Sequence, residues 1–367
     1  MNQAVHIVDS LALGGAQRVL KTYFESERNN RYVHLLSLRE VDDPVAIDHR
    51  NVKVSKGRGR YSLRPIKDIA RLTKSEDITI VHCHLFRAQI FGLLIKIGSR
   101  HRCRLIFHEH GRVVGKESES YLEHVLFRVF LFVSQRWVDQ YICNSKLTKE
   151  CLVNLVSPKR PAVIVYNPII LKREVPESER DLIREKMGIP KHRFVVGFAG
   201  RLIRTKGWRD FLEAVSIVSK NADISFLIAG VGPDLDEAKD IINRLGLDER
   251  GQVMGHVHDM TNYFAALDCF VMPSLWESHG IAHLEAQAAR VPIIVSDIRG
   301  LRKTVRPGVD AMLCSPGDSL SIAESIIRLK ENAELRDSLV VHGLTNVERF
   351  SLSGYKKRIH NVERELS

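Results

Sequence analysis

The stretch ITIVHCHLFRAQIFGLLIKIGSRHRCRLIFHEH, Ile78–His110, contains two apolar runs separated by a longer segment. The first run, ITIVHCH, and the last, RLIFHEH, have the length and the apolar content of buried strands. The segment between them, FRAQIFGLLIKIG, is long enough for a helix. Strand, helix and strand in this order are typical of a βαβ unit, whose two strands are parallel. The stretch therefore predicts a parallel sheet with helices on its faces.

The same alternation continues in both directions along the chain. Further apolar runs, each followed by a helix-like segment or a turn, are AVHIVDS (4–10), WVDQYICNS (137–145), AVIVYNP (162–168), FVVGFAGRL (194–202), ISFLIAGVG (224–232), GQVMGHV (251–257), CFVMPS (269–274) and PIIVSD (292–297). Continuous apolar strands that alternate with helices indicate parallel sheets covered on both faces. The chain therefore belongs to the α/β class.

A polar stretch, LKREVPESERDLIREKMGIPKHR, separates two such series and predicts a linker near residues 168–192. At 367 residues the chain also exceeds the size of one ordinary core. We predict two Rossmann-like domains: residues 1–168 together with a terminal helical segment, 351–367, and residues 169–350. Ligands of such sheets bind beyond the carboxyl ends of the strands. We expect those ends to line one central cleft.

Composition indicates a soluble globular protein, with 44% hydrophobic and 27% charged residues. The N-terminus lacks the basic and apolar regions of a signal peptide. No apolar stretch approaches the ~20 residues that span a bilayer. The six cysteines form no CxxC pair, which favours free thiols in a reducing compartment. We therefore expect a cytoplasmic protein.

The positive charge is concentrated in the first half of the chain. Residues 1–170 contain 27 Lys and Arg against 16 Asp and Glu, whereas residues 171–367 contain 28 of each. Such asymmetry predicts an anionic partner for the first half, and a membrane surface is the partner we favour. A solvated basic surface is the alternative. Nucleic acid is not expected, because no aromatic residues are interleaved with the basic ones.

Residues suited to chemistry follow the predicted strands, where a ligand of a parallel sheet would lie. Two glycines follow the first strand, histidines follow two others, and cations and a carboxylate follow strands of the second series. These residues are Gly14, Gly15, His82, His84, His108, Glu109, His110, Arg201, Lys206 and Glu277. Of the histidines, His84 and His108 are candidates for contact with a second substrate, the acceptor of a transferred group.

The stretch SLWESHGIAHLEAQA, 274–288, contains two carboxylates, Glu277 and Glu285, with Gly280 between them. A spacing of eight does not place two side chains on one helix face. A helix that begins near Gly280 would instead present its free N–H groups between the two acceptors. A phosphate suits the N–H groups, and hydroxyls suit the carboxylates. A ligand with hydroxyls on both sides of phosphate is a sugar nucleotide.

At these residues the chain resembles the family-four retaining glycosyltransferases, which have the GT-B fold. PSLWESHGIAHLEAQA resembles the Glu-x7-Glu signature of that family. Other segments resemble its glycine turn, its histidine-bearing second strand and its Arg/Lys phosphate clamp: SLALGGAQRVL (10–20), DITIVHCHLFRAQIFG (77–92) and GFAGRLIRTKGW (197–208). The matching segments occur in order across most of residues 5–300.

The resemblance implies a role for each matching residue. Gly14 and Gly15 would approach the diphosphate and the acceptor, and Arg201 and Lys206 would clamp the diphosphate. The remaining roles are Glu285 for the ribose, Glu277 for sugar hydroxyls, the backbone of His279, Gly280 and Ile281 for sugar and phosphate, Val257 for the base, and His110 for the reacting sugar. The family commonly has Gly-Phe where this chain has Ser278-His279, which leaves the sugar open.

Three other patterns have ordinary structural interpretations, which we favour. Asp234-Leu235-Asp236 resembles a metal-binding Asp-x-Asp but lies at the polar start of a helix. His279 and His283 have the spacing of a zinc pair but no third ligand. YLEHVLFRVFLFVSQRW, 121–137, favours a buried helix over a helix on a membrane surface. No metal site and no cofactor are therefore expected.

The sequence thus predicts a retaining, metal-independent glycosyltransferase that uses a nucleoside-diphosphate sugar, with UDP as the expected nucleotide. The expected acceptor is a glycan or a lipid-linked sugar of cell-envelope polysaccharide synthesis, reached at the inner face of the cell membrane. Two alternatives stay open: a sugar-nucleotide epimerase or hydrolase of the same fold, and a non-catalytic protein that binds nucleotide sugars. The sequence does not predict the oligomeric state.

Overall fold

The structure is a computed structural model that describes residues 3–12, 14–42, 44–55, 64–98, 103–111 and 121–366. Of the basic stretch Arg50–Arg104, residues 56–63 and 99–102 therefore lie outside the described residues. The chain divides into two compact units, one formed by residues 1–168 and 352–367 and the other by residues 169–351. The predicted division differs from the observed units in the placement of Ser351.

The first unit is built on a parallel sheet, as the opening stretch predicts. Among the described residues its strands are β1 (Gln3–Ser10), β2 (Val33–Arg39), β3 (Val52–Val54), β4 (Ile78–His84), β5 (Arg104–Glu109), β6 (Gln140–Cys143) and β7 (Ala162–Ile164). Their order is β3-β2-β1-β4-β5-β6-β7. The chain therefore winds away from β1 in one direction and from β4 in the other, which is the doubly wound topology.

Helices cover this sheet where the sequence alternates strand with helix. They are α1 (Gly15–Ser26), α2 (Arg64–Ser75), α3 (Phe86–Gly98), α4 (Tyr121–Ser134) and α5 (Lys146–Val156). The register pairs His6 with His82, and His84 with His108. Because adjacent residues of paired parallel strands point to the same face, these histidines share one face of the sheet. That face is buried.

The second unit repeats the arrangement with its own core. Its described strands are β8 (Phe194–Ala199), β9 (Ile224–Ala229), β10 (Gly251–Val253), β11 (Cys269–Met272), β12 (Ile293–Ser296) and β13 (Met312–Cys314), in the order β10-β9-β8-β11-β12-β13. Its helices are α6 (Glu177–Lys186), α7 (Trp208–Ser219), α8 (Leu235–Arg244), α9 (Met260–Ala265), α10 (Ala282–Ala288), α11 (Arg299–Arg302), α12 (Ser319–Glu331) and α13 (Ala333–Val347). Both predicted Rossmann-like sheets are therefore present.

The polar stretch predicted as a linker is a structural part of the second unit instead. It contains helix α6, whose Ile183 is buried in the core of that unit. Arg180 and Arg184 of this helix both bind Asp268, at 2.6 Å in each case. One of these cations, Arg184, is buried, and its carboxylate partner lies 84 residues away in sequence.

The chain ends in helix α14 (Leu352–Glu365), which belongs to the first unit. Its residues Tyr355, Ile359 and Val362 are buried. Tyr355 packs edge-on against Tyr23 of α1, and Lys356 pairs with Glu27 at the end of that helix. The contacts place Glu363 of α14 beside the buried histidines of the sheet.

The prediction of a buried helix over residues 121–137 needs correction. In helix α4, Phe127 and Leu131 are buried, but Leu126, Val129, Phe132 and Val133 are between 49% and 64% exposed. The sequence is apolar on both faces of this helix, so it does not show which face packs on the sheet. Within the described part of the chain, no helix combines the length and the hydropathy needed to cross a bilayer.

Candidate functional site

Several of the predicted residues lie at the carboxyl ends of the two central strands of each sheet. In the first unit β1 and β4 are neighbours, and in the second unit β8 and β11 are neighbours. The chain leaves each of these pairs in opposite directions, so a crevice opens beyond their carboxyl ends. Gly14 follows β1 and His84 is the last residue of β4, whereas Arg201 and Glu277 follow β8 and β11.

In the second unit two loops that are about 70 residues apart in sequence are joined by their backbones. The 3₁₀ turn Arg204–Lys206 follows β8, and the Thr205 carbonyl accepts hydrogen bonds from the N–H groups of Leu275 (2.9 Å) and Trp276 (3.3 Å). Gly207 closes the turn with φ +68°, and a Cβ at that position would lie 1.9 Å from the Pro273 carbonyl oxygen. Only glycine fits so close to the second loop.

This junction brings Lys206 against Glu277. The Lys206 ammonium donates a short hydrogen bond to Glu277 Oε2, and the two side chains are 22% and 11% exposed. Arg201 lies one turn earlier, is exposed, and has no ion pair among the residues that the structure describes. One predicted cation, Lys206, and the predicted sugar-binding carboxylate Glu277 are therefore neighbours, although 71 positions separate them in sequence.

Glu285 lies on the helix that follows. Helix α10 begins at Ala282 with Ile281 as its N-cap, so the helix start that we predicted near Gly280 is two residues too early. Gly280 has φ +71°, a left-handed conformation that ends the loop before the helix. Glu285 is half-buried in the first turn of α10. The segment between the two glutamates is therefore a loop and a helix start, as their spacing indicates.

The side chain of His279 points into the core of the second unit. It is 1% exposed and lies 5.6 Å from the Phe350 ring, between ring centroids. Burial lowers the pKa of His279 to about 3, and burial also lowers the pKa of His283 to about 3. His283 Nε2 donates to Thr304 Oγ1 at 2.9 Å, since that hydroxyl itself donates to the Leu301 carbonyl. His279 therefore offers a ligand its backbone and not its ring.

The Asp-x-Asp pattern has the structural role that we favour for it. Asp234 is the N-cap position of α8 and accepts a hydrogen bond of 3.1 Å from the indole N–H of Trp208. Asp236 lies in the first helical turn, where a carboxylate is favoured by the helix dipole.

Val257, the predicted base contact, is half-buried and packs on the core after β10.

In the first unit the glycine turn lies where the sequence places it. Gly14 is the N-cap position of α1, in an extended conformation, and Gly15 is its first residue. Both glycines are exposed or nearly so. Asp9, near the end of β1, binds Arg39 at 3.0 Å and Arg87 at 3.1 Å. The strand that precedes the turn thus ends in a carboxylate with two cationic partners.

Five histidines from β1, β4 and the end of β5 form two hydrogen-bonded rows inside this unit. In the first row His6 Nδ1 lies 2.9 Å from His84 Nε2, and His84 Nδ1 lies 3.0 Å from His110 Nε2. In the second row Glu363 Oε1 lies 3.1 Å from His82 Nε2, and His82 Nδ1 lies 2.9 Å from His108 Nε2.

The two rows stack on each other through their rings. The His6 and His82 rings are 4.2 Å apart with planes 6° from parallel, and the His84 and His108 rings are 4.0 Å apart with a 26° angle. Burial is the largest cause that lowers the pKa values of His6, His84 and His108. It also lowers the pKa of His110 to about 4. These imidazoles are therefore neutral at pH 7.

The predicted acceptor-side role of His84 and His108 needs correction. His84 is fully buried and His108 is 3% exposed, so neither ring can contact an acceptor directly. His110, which is half-buried, ends the first row. The sequence correctly placed all three histidines at the edge of the sheet formed by the carboxyl ends of the strands. It did not separate the histidine that reaches the surface from those that support it.

Two sets of side chains in this cluster have ligand atoms close enough for a metal ion: His6, His84 and His108, and His6, His82 and Glu363. Each set contains a stacked pair, His84 with His108 or His6 with His82. An ion binds an imidazole along a nitrogen lone pair, in the plane of the ring. Two nearly parallel rings 4 Å apart cannot both direct a lone pair at one ion. This geometry fits hydrogen-bonded rows rather than a metal centre.

Sequence reasoning missed two residues of this cluster. His6 lies within the apolar run AVHIVDS. Alternation along a strand places His6 on the same sheet face as Val8, but it does not relate His6 to the histidines of other strands. Glu363 is 281 positions from His82 and belongs to the terminal helix. No spacing rule connects residues so distant, so only the folded chain shows this contact.

The fold and the candidate site residues of the two units define a two-domain α/β protein of the glycosyltransferase class. The sequence-family model described as Glycosyltransferase Family 4 matches residues 13–173. The sequence-family model described as Glycosyl transferases group 1 matches residues 179–343. Together they cover most of the chain, which belongs to the family-four glycosyltransferases of the GT-B fold.

Individual proteins are similar to the chain over part or nearly all of its length. The UDP-Gal:alpha-D-GlcNAc-diphosphoundecaprenol alpha-1,3-galactosyltransferase of Escherichia coli is 26% identical over 361 residues, which is 92% of each chain. A capsular polysaccharide biosynthesis glycosyltransferase of Staphylococcus aureus, CapM, is 30% identical over 42% of this chain and 41% of its own. The crystal structure of Anabaena HepE with UDP-glucose superimposes with a TM-score of 0.87 at 18% identity, and all of both chains is covered.

Proposed function

We propose that the protein transfers a sugar from a UDP-sugar to a lipid-linked or glycan acceptor in cell-envelope polysaccharide synthesis. The observation that carries the proposal is the pairing of Lys206 with Glu277 beyond the central strands of the second unit. A cation and a carboxylate held side by side are suited to a ligand that presents phosphate next to hydroxyls. The galactosyltransferase relative acts on a UDP-sugar and a diphosphoundecaprenol-linked acceptor, which supports this choice.

In the proposed donor complex the diphosphate binds the Lys206 ammonium and the Arg201 guanidinium. Glu277 then no longer pairs with Lys206 and accepts hydrogen bonds from sugar hydroxyls. Glu285 of helix α10 accepts hydrogen bonds from the ribose hydroxyls, and the backbone of 279–281 lies beside the sugar and phosphate. Val257 lies beside the base, and Gly14 and Gly15 keep the diphosphate role that the family resemblance implies. The ion pair therefore keeps the two donor-binding groups in place before the donor arrives.

We propose that transfer proceeds with retention and without a metal. The leaving diphosphate gains charge in the transition state, and the two cations Arg201 and Lys206 stabilise that charge. Because Glu277 accepts hydrogen bonds from sugar hydroxyls in this complex, we assign it to hydrogen bonding rather than to covalent attack. His110, at the carboxyl end of β5, faces the reacting sugar.

We propose that the first unit binds an anionic membrane surface at the inner face of the cell membrane. Helix α4 exposes Leu126, Val129, Phe132 and Val133. Beyond its end Arg136, Lys159 and Arg160 line a cavity of about 350 Å³. Apolar side chains flanked by cations suit the boundary between acyl chains and anionic headgroups. An acceptor anchored by a lipid would be reached from such a surface.

The test is a panel of nucleoside-diphosphate sugars, scored for binding, for slow hydrolysis and for transfer to a lipid-diphosphate-linked sugar. We expect one UDP-sugar to bind and to be consumed, with product of retained anomeric configuration. Turnover without any acceptor, giving an isomerised sugar nucleotide, would identify an epimerase instead. Binding without turnover on any acceptor would identify a non-catalytic protein.

Two isosteric variants separate the roles of the glutamates in the same assay. Glu285→Gln should weaken free UDP and the intact donor alike, because both contain the ribose. Glu277→Gln should leave UDP affinity nearly unchanged while transfer falls, because only the intact donor contains the sugar. If both variants weaken UDP equally, the assignment of Glu277 to the sugar is wrong.

A further inference from the structure

The first histidine row has a direction that follows from counting its hydrogens. His6, His84 and His110 are each neutral, so each ring has one N–H. His84 makes two contacts, through Nε2 to His6 and through Nδ1 to His110. With a single hydrogen, His84 must donate in one contact and accept in the other. All hydrogens of the row therefore point the same way, either toward the interior or toward His110.

The interior end of the row decides between the two directions. If the hydrogens point inward, His6 must have its hydrogen on Nε2, and that atom is buried with no hydrogen-bond partner among the described residues. If they point outward, His6 has its hydrogen on Nδ1, bonded to His84, and Nε2 is a bare lone pair. An orphaned buried N–H is the rarer and costlier of the two in folded proteins. The outward direction is therefore favoured.

The outward direction fixes the tautomer of the outermost ring. His84 then donates from Nδ1 to His110 Nε2, so the hydrogen of His110 must lie on Nδ1. Nδ1 has no protein partner in this row and is the nitrogen left to meet a ligand. The ring cannot turn over to exchange its nitrogens without breaking the contact with His84.

The second row holds the first one in place. Its rings stack on His6 and His84 at 4.2 and 4.0 Å, and Glu363 of the terminal helix anchors its far end. The core position of His84 and the stacked ring of His108 prevent His84 from rotating away. The row is thus a rigid support that reaches from the sheet interior to the site edge.

We propose that His6 and His84 are positioning residues that hold His110 as the Nδ1–H tautomer, so that His110 acts as a hydrogen-bond donor to the sugar and not as a base. The proposal rests on the proposed function, in which His110 faces the reacting sugar. A donor N–H suits a hydroxyl or ring oxygen of the sugar, whereas a base would need a bare nitrogen at the same point. The second row contributes only rigidity.

The tautomer can be read without any substrate. In protein labelled with ¹⁵N-histidine, two-bond ¹H–¹⁵N spectra at pH 7.5 distinguish a protonated ring nitrogen from a bare one, and His110→Asn assigns the His110 signals. We expect Nδ1 of His110 to be the protonated nitrogen in the wild type. His84→Leu removes the donor and should produce a mixture of tautomers, whereas His84→Asn, whose amide nitrogen occupies the place of Nδ1, should keep the wild-type form.

His6→Phe provides a second variant that preserves the aromatic packing around the interior end. It removes the hydrogen donated to His84, so the His110 signals should again show a mixture. Hydrogen on Nε2 of His110 in the wild type overturns the proposal. Unchanged His110 signals in both His84→Leu and His6→Phe overturn it as well. Melting temperatures of the variants identify any that fail to fold, in which case His84→Asn is the comparison that remains.

The donor role is tested separately by amide replacements of His110. His110→Asn places an N–H near the position of Nδ1, and His110→Gln places one near Nε2. We expect His110→Asn to retain about ten times more kcat than His110→Gln, with similar KM for the donor. Equal activity of the two, with the expected tautomer, refutes the donor role, while the tautomer result stands. Failure of the proposed function is distinct, since it leaves no transfer in the wild type.

Discussion

Replacing His279 by Phe tests how an imidazole is accommodated in the core of the second unit. The ring is 1% exposed, packs against Phe350, and has a pKa of about 3 because of burial. In the unfolded chain the pKa returns to about 6.5. A proton therefore binds the unfolded state first as the pH falls. Stability contributed by this group is complete above pH 6.5 and is lost between pH 6.5 and 3.

The magnitude follows from the linkage relation. At pH 5.0 the unfolded imidazole is stabilised by RT ln(1 + 10^1.5), which is about 2 kcal/mol, and at pH 8.0 the same term is close to zero. The result hardly depends on the folded pKa once that pKa lies below about 4. Phenylalanine does not titrate and can keep an aromatic contact with Phe350. We therefore expect His279→Phe to gain about 2 kcal/mol of unfolding free energy over its parent at pH 5.0, relative to their difference at pH 8.0.

Urea unfolding followed by tryptophan fluorescence measures this difference. Trp137 is in the first unit, so a Trp137→Phe background leaves Trp208 and Trp276 as reporters of the second unit. Comparing variant and parent at each pH cancels the contributions of other titrating groups. His342→Gln, at an exposed position of α13, is the control for replacing a histidine at the surface. If His279→Phe shows the same difference at pH 5.0 and 8.0, the burial argument is refuted.

Three further predictions concern the donor site and the surface. Arg201→Ala and Lys206→Ala should each lower kcat/KM by about 10- to 100-fold, with part of the loss in kcat. The reason is that each cation stabilises the charge that develops on the leaving diphosphate by about 1.5–3 kcal/mol. A change in thermal stability alone, with normal kinetics per folded molecule, would contradict this. Transfer activity should survive EDTA, because the two cations supply the positive field; loss of activity that Mg²⁺ or Mn²⁺ restores would disprove metal independence. Binding to anionic vesicles should weaken as salt rises and should fall further in Phe132→Ser, whereas Leu320→Ser, an equally exposed position on the second unit, should not alter it; equal binding to neutral vesicles would exclude the electrostatic part.

The sequence by itself determined the class of fold and the edges where function lies. Apolar runs such as ITIVHCH and CFVMPS alternate with helices, and burial on both faces is what makes parallel strands read as continuous apolar segments. A ligand of such a sheet can only approach beyond the strand ends, because helices cover both faces. Local pattern is therefore sufficient to select Gly14, Arg201 and Glu277 as candidates.

Only the tertiary structure decided which of these residues meet and which are buried. Lys206 reaches Glu277 through backbone hydrogen bonds between two loops. His84 and His108 lie at the ends of β4 and β5 and His110 follows β5, and register and stacking make the first two internal. Polarity misled where its compensation is non-local. Arg184 is buried in α6 because Asp268, 84 residues away, neutralises it. Likewise, helix α4 has apolar residues on more than one face, and only its packing against the sheet shows that Phe132 faces outward. A pairing energy or a buried face depends on neighbours that the chain supplies only after it has folded.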